Sequence, residues 1–223
     1  LCGPRARQVL EKVTREDVSN EGFPFGTGRE IYIGSAPALA LRVSYHGELG
    51  WELHIPVEYT AYVYEKLWEA GEEFGIADAG YRALESCRLE KGYFYWSGDL
   101  TTDYTSYDAG LGFNVHLKKK DFIGRSALAK IVKEGPAWRM CFFTLEEEVE
   151  LYGSEPISRE GEVLGIVTSG GFGHTIGKTI AFAYLPPAEA VHSDYVIEAF
   201  GREIQVTRHD QCLYDPKRER ILS

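Results

Sequence analysis

The stretch VSYHGELGWELHIP, Val43–Pro56, sets a carboxylate between two glycines and two large aromatic rings. Gly47 and Gly50 permit a tight hairpin turn with positive φ and a close approach of a ligand to the backbone, while Tyr45 and Trp51 supply flat apolar walls beside Glu48. A carboxylate so placed accepts two parallel hydrogen bonds from an amidine-like pair of N–H groups on a heteroaromatic ring. The plainer alternative is a solvent-facing hairpin tip with an incidental acid. A second group stands in YRALESCRLEKGYFYWSGD: Arg82 and Arg88 on a helix, Tyr93 and Trp96 just past its end. Guanidinium charge beside stacked rings suits a flat anionic ligand. Alternatively, Arg88 pairs with Glu85 or Glu90 and the aromatics are core.

Other chemistries find little in the chain. GGFGHTIGKT, Gly170–Thr179, ends in Gly-Lys-Thr, but a phosphate loop needs glycine five residues before Gly177, where Phe172 stands, and a strand-like run follows instead of a helix. It reads as a glycine-rich β-turn. The six histidines form no HExxH and no metal-ligand spacing with cysteine, so no metal is expected. No GxSxG elbow is present. The formal net charge of −10 argues against a nucleic-acid partner, and the short basic runs Lys118–Lys120 and Lys217–Arg220 are flanked by acids. Cys2, Cys87, Cys141 and Cys212 are scattered without a CxxC pair, which suits a reducing compartment. No apolar run has the length of a membrane span, and no membrane association is expected. LCGPRARQVL opens without Met on a Gly-Pro helix start, as a fragment or processed chain would.

The elements that must position these groups follow from periodicity. Pro4 with Val9, Leu10 and Val13 predicts a short amphipathic helix. REIYIG, ALALRVSYHG and GWELHIP predict a three-stranded meander, and residues 57–74 and about 79–91 predict helices closed by Gly75 and Gly92. GLGFNVHL, Gly110–Leu117, reads as a strand returning to the sheet. A helix is expected over Gly124–Lys133, within a charged linker. Beyond Pro136, strands recur at short spacing, with turn signals REGE and FGRE between them, as in an all-β module. The division is thus an α+β domain over 1–118, a linker with a helix over 119–135, and a small antiparallel β-barrel over 136–223.

Four stretches in order resemble the glycine-cleavage aminomethyltransferase (T-protein) family. LCGPRARQVL is similar to its LxGPxAxxVL helix and SYHGELGWE to its GYTGEDGVE hairpin. ESCRLEKGYFYWSGDL is similar to RDxLRLEAG…YGxD, and GEVLGIVTSGGF…TIAFAYLP to its barrel stretch G-x-x-T-S-G…A-x-x-Y-V-P. RLEKGYFYW, DAGLGF, DFIGRSAL and YDPKRERI are closest in wording to the C-terminal tetrahydrofolate modules of sarcosine and dimethylglycine dehydrogenases. The resemblance implies the C-terminal half of a folate-binding domain followed by a barrel. As cofactor it implies tetrahydrofolate, with FAD confined to a flavin domain outside this chain. The expected activity is capture, as methylenetetrahydrofolate, of a one-carbon unit from a small N-methyl amine, in a bacterial cytoplasm or mitochondrial matrix. It places Glu48 on the pterin-binding glutamate and Tyr93 on an aromatic lining the folate site. The folate-contacting arginine falls on Leu84, with Arg82 as a substitute, and the catalytic aspartate lies upstream of the LxGPxA helix with no counterpart here. A non-catalytic relative of the pyruvate dehydrogenase phosphatase regulatory subunit type and a folate-dependent demethylase or aminomethyltransferase are the alternatives.

Overall fold

In GREIYI and APALAL the shielded apolar residues alternate, and the two stretches pair as antiparallel strands β1 (Gly28–Ile33) and β2 (Ala36–Leu41), Ile31 opposite Ala38 and Ile33 opposite Ala36. The short strand β3 (Glu52–His54) pairs with the other edge of β2. Helix α1 (Ala6–Val13) brings Leu10 and helix α2 (Thr60–Gly71) brings Val63 to the same core, where they meet Phe23, Ile31, Ile33 and Trp51. Helix α3 (Tyr81–Lys91) starts after a short link and stops at Gly92, whose φ of 72° ends the helical path. The computed structural model describes residues 1–223. Two packed units divide it, Leu1–Arg88 with Asp215–Ser223, and Leu89–Tyr214.

The second unit holds helix α4 (Arg125–Glu134) and six strands: β4 (Arg139–Leu145), β5 (Pro156–Arg159), β6 (Glu162–Gly173), β7 (Lys178–Leu185), β8 (Tyr195–Ala199) and β9 (Arg202–His209). They close an antiparallel barrel in the order β4-β7-β6-β5-β8-β9, which leaves no sheet edge unpaired. Two of its hairpins turn through Glu160-Gly161 and Phe200-Gly201, all four residues at positive φ, the type I′ geometry that matches strand twist. Strand β7 is apolar on both faces. Ala181, Ala183 and Leu185 point into the barrel with Phe143 and Ile157, while Ile180, Phe182 and Tyr184 join an outer cluster with Leu89, Phe94, Leu100, Tyr104 and Leu111.

That outer cluster explains why packing divides the chain elsewhere than the sequence does. From residues 89–118, Leu89, Phe94, Leu100, Tyr104, Ala109 and Leu111 pack on the outside of β4 and β7, and the stretch belongs to the barrel unit. The last residues leave it: Ile221 is buried, and the Ser223 carbonyl accepts from Arg7 at 2.8 Å and Arg42 at 3.0 Å in the first unit. Gly110–Leu117 is not a strand. Leu111 donates its amide to Ser106, and a single 3₁₀ turn follows over Gly112–Asn114. The loop at Gly170–Thr179 is the β6–β7 hairpin, and the Thr175 and Ile176 amides donate to the buried Glu90 carboxylate at 2.5 and 2.9 Å. The donors that a phosphate would seek are thus taken by a side chain.

Candidate functional site

The expected tight hairpin is a wide loop. The β2–β3 ladder stops at Leu41–Glu52, leaving residues 42–51 outside it. The reason lies in competing partners: Arg42 exchanges backbone hydrogen bonds with Gly26 and Thr27, and the returning arm pairs with the start of the chain, Gly3 N–H to Leu49 C=O and Trp51 N–H to Leu1 C=O. Gly47 has the expected positive φ, 78°. Gly50 serves a different end, since a Cβ there would stand 2.7 Å from the Leu1 carbonyl oxygen.

This loop, the arm before it and α2 enclose a cavity of about 330 Å³ in the first unit, within the ~300–1,000 Å³ of small-molecule sites. Tyr45, Trp51 and Tyr64 give it aromatic wall, Val63 and Leu67 apolar floor, and His46, Ser44 and Glu52 its polar groups. Trp51 is 1% exposed, with Phe23 edge-on at 6.2 Å and the Arg7 and Arg42 guanidinium carbons 5.5 and 5.7 Å from its ring centre. Such cation contacts fix the ring's orientation. Glu52 is the one carboxylate in the lining; it stands at the rim, half exposed, 3.6 Å from His54. Burial pushes the His46 imidazole below its ordinary value of 6.5.

Of the residues singled out by sequence, Tyr45 lines this cavity. Glu48 does not: its side chain is 19% exposed and its Oε1 lies 3.7 Å from Arg220 of the C-terminal segment. Arg82 is exposed at the start of α3 and also lies outside the lining. Arg88 follows the alternative reading, buried and forked onto Glu85 at 2.9 and 2.8 Å. Tyr93 and Trp96 belong to the second unit, Tyr93 half-buried and Trp96 79% exposed. The turn that carries Trp96 is fixed by Asp99, which is fully buried. Asp99 accepts from the Tyr95 amide at 2.7 Å, the Thr168 hydroxyl at 2.5 Å and the Ser169 hydroxyl at 2.8 Å, and the Tyr184 hydroxyl donates to its carbonyl at 2.9 Å. The SGD and TSG motifs are therefore two halves of one hydrogen-bonded cluster.

Sequence reading passed over Glu52, His46 and Tyr64. Glu52 alternates with Trp51 and Leu53 as an outward strand residue does, and Tyr64 reads as one more ring on an amphipathic helix. The signal available for Glu52 was its place four residues after Glu48, at the first position of a three-residue strand.

Comparison with known proteins supports the fold and the motifs together. Residues 1–119 match the GCVT N-terminal domain, and residues 139–215 match the glycine cleavage T-protein C-terminal barrel domain. The mitochondrial sarcosine dehydrogenase of Mus musculus is 39% identical over 99% of this chain and 25% of its own length. The mitochondrial dimethylglycine dehydrogenase of Mus musculus is 38% identical over 99% of this chain and 26% of its own length. The chain thus spans about a quarter of these curated relatives. Among solved structures, glycine cleavage system aminomethyltransferase T from Bartonella henselae superposes with a TM-score of 0.71 at 29% identity, over 77% of this chain and 48% of that one. No helix is long and apolar enough to cross a membrane. Two family domains matched in order, and relatives aligned over nearly every residue, show that the chain belongs to the glycine cleavage T-protein family.

Proposed function

We propose that this chain is the tetrahydrofolate-binding module of a flavin-linked N-methyl amine dehydrogenase of the sarcosine or dimethylglycine type. The observation that carries the reading is the cavity at the β2–β3 loop: aromatic walls at Tyr45, Trp51 and Tyr64, and a single carboxylate, Glu52, at its rim. A reduced pteridine has two flat faces and an edge with adjacent N–H and amino donors. Flat faces are matched by ring walls, and paired donors by a carboxylate that accepts two parallel hydrogen bonds. The residues present fit the group. The role foreseen for Glu48 accordingly passes to Glu52, four residues on, because Glu52 is the acid that the cavity offers.

Bound there, the reduced folate would supply the nitrogen pair that accepts a one-carbon unit released by amine oxidation. This chain's own part is to orient and to exclude. Trp51, clamped between two guanidinium groups and Phe23, keeps one wall rigid, so a ligand ring loses its freedom against a surface already ordered. Val63 and Leu67 add apolar lining against which a flat ring can pack. Oxidation of the amine would belong to a partner flavin domain carrying FAD.

Calorimetric titration of a stable reduced folate, 5-formyltetrahydrofolate, into the full chain tests the assignment. Glu52→Ala is expected to raise Kd at least about tenfold, since two charge-assisted hydrogen bonds lose their acceptor. Glu48→Ala is expected to change it by less than about threefold. The reverse order of the two effects would return the role to Glu48, and absence of saturable binding to the unaltered chain would end the folate reading.

A further inference from the structure

Asp215–Ser223 leaves the barrel unit and packs within the first. It arrives there folded on itself. The Glu219 and Arg220 amides donate to the Asp215 carboxylate at 2.8 and 3.2 Å, and Asp215 and Arg218 both sit at positive φ, 44° and 62°. Backbone of that kind persists where its surroundings over-determine it. Ile221, 1% exposed, is the anchor. Around it, Arg218 lies 5.2 Å from the centre of the Phe25 ring, Asn20 Nδ2 donates to the Leu222 carbonyl at 3.4 Å, and Arg220 Nη1 lies 3.7 Å from Glu48 Oε1.

The Ser223 carbonyl is where this segment meets the cavity. It accepts from Arg7 at 2.8 Å and from Arg42 at 3.0 Å, the same two guanidinium groups that lie 5.5 and 5.7 Å from the centre of the Trp51 ring. Side by side, the two cations repel: buried Arg42 is pushed below its ordinary value by burial and then by Arg7. A shared acceptor offsets that repulsion and fixes both heads against one ring. We propose that Asp215–Ser223 is a positioning strap for the cavity: through Arg7 and Arg42 it sets the Trp51 wall, and through Arg220 it holds Glu48 in the 42–51 loop. Its release loosens that wall without opening the sheet beneath. The strap acts on the wall itself, whatever ligand the cavity takes.

A segment that only adds stability protects its whole unit evenly, whereas a strap protects first the loop it touches. Residue-resolved amide exchange on the full chain separates the two. Ile221→Asp puts a charge where an apolar anchor is buried. It is expected to speed exchange of the Arg42 and Trp51 amides, which donate to Thr27 and Leu1, at least about thirtyfold. Amides in the middle of the β1–β2 ladder, around Ile31 and Ala38, are expected to change less than about threefold. Ile221→Ala removes the anchor without burying a charge and is expected to give the same order at about tenfold. Incorporated 5-fluorotryptophan reports the ring directly. The Trp51 fluorine resonance, identified by its loss in Trp51→Phe, is expected to shift in both Ile221 variants while that of Trp138 stays in place. Unchanged exchange at Arg42 and Trp51 in both variants overturns the strap, as does acceleration no greater than in the β1–β2 ladder or a Trp51 resonance that does not move.

Discussion

Asp99 shows how much one side chain can organise. Its carboxylate is fully buried and accepts three hydrogen bonds, from one amide and two hydroxyls that stand 69 and 70 residues away in β6. Removing it leaves those donors unsatisfied in a dry setting, at a cost of about 3–5 kcal/mol for a buried charged acceptor. Asp99→Ala is therefore expected to lower the urea midpoint strongly and Asp99→Asn, which keeps one acceptor oxygen, less so; an unchanged midpoint in the alanine variant would contradict this account. The SGD and TSG motifs were visible in sequence, but nothing in either announces the other, because a hydrogen bond across 70 positions leaves no periodic trace. Glu48 and Glu52 teach a related lesson. Two acids four positions apart look alike to chemistry, yet Glu52, at the start of β3, lines the cavity and Glu48, in the loop outside the ladder, does not.

The elements were legible where a local rule acts without tertiary help. REGE and FGRE were readable as turns because a two-residue type I′ loop adopts positive φ at both centres, which favours glycine at the second. Phe200 violates that preference at the first centre, with φ of 51° and a ring 70% exposed. Phe200→Asn is accordingly expected to stabilise the barrel by about 0.5–1 kcal/mol, raising Tm by a few degrees, because asparagine tolerates the left-handed region and the mostly exposed ring gives up little buried area. A scanning-calorimetry Tm at or below that of the unaltered chain would count against the turn's strain. Gly110–Leu117 misled for a complementary reason. Its alternation came from Leu111 packing into the outer cluster, not from a ladder, and alternation alone does not distinguish the two. The β2–β3 connection failed as a tight turn because the chain's first residues outcompete β2 for the backbone of Leu49 and Trp51.

Acid is expected to act on the whole molecule in two stages. His46 in the first unit and His209 in the second are both pushed below 6.5 by burial. The unfolded chain therefore takes up protons that the folded chain refuses, and stability declines as pH falls through 6.5 until the folded-state values are reached. Asp108 behaves oppositely in sign of charge. Burial alone would raise it, but hydrogen bonds from Thr105 and Trp138 outweigh that and hold it below 3.8, so its contribution survives the first stage and is lost only as pH drops beneath 3.8. Urea midpoints between pH 7.5 and 3 should show both declines, the upper one shallower in His209→Gln; a flat profile from pH 7 to 5.5 would refute the histidine part. The same view of the molecule explains the boundary that sequence placed at 136. Reading β7 as an all-β strand was right, yet its second apolar face gave no hint of what would cover it. A barrel that needs residues 89–118 as its coat cannot travel alone: any recombination that moves this fold between proteins must cut upstream of Leu89, or the transplanted half arrives with a greasy flank and a tendency to clump.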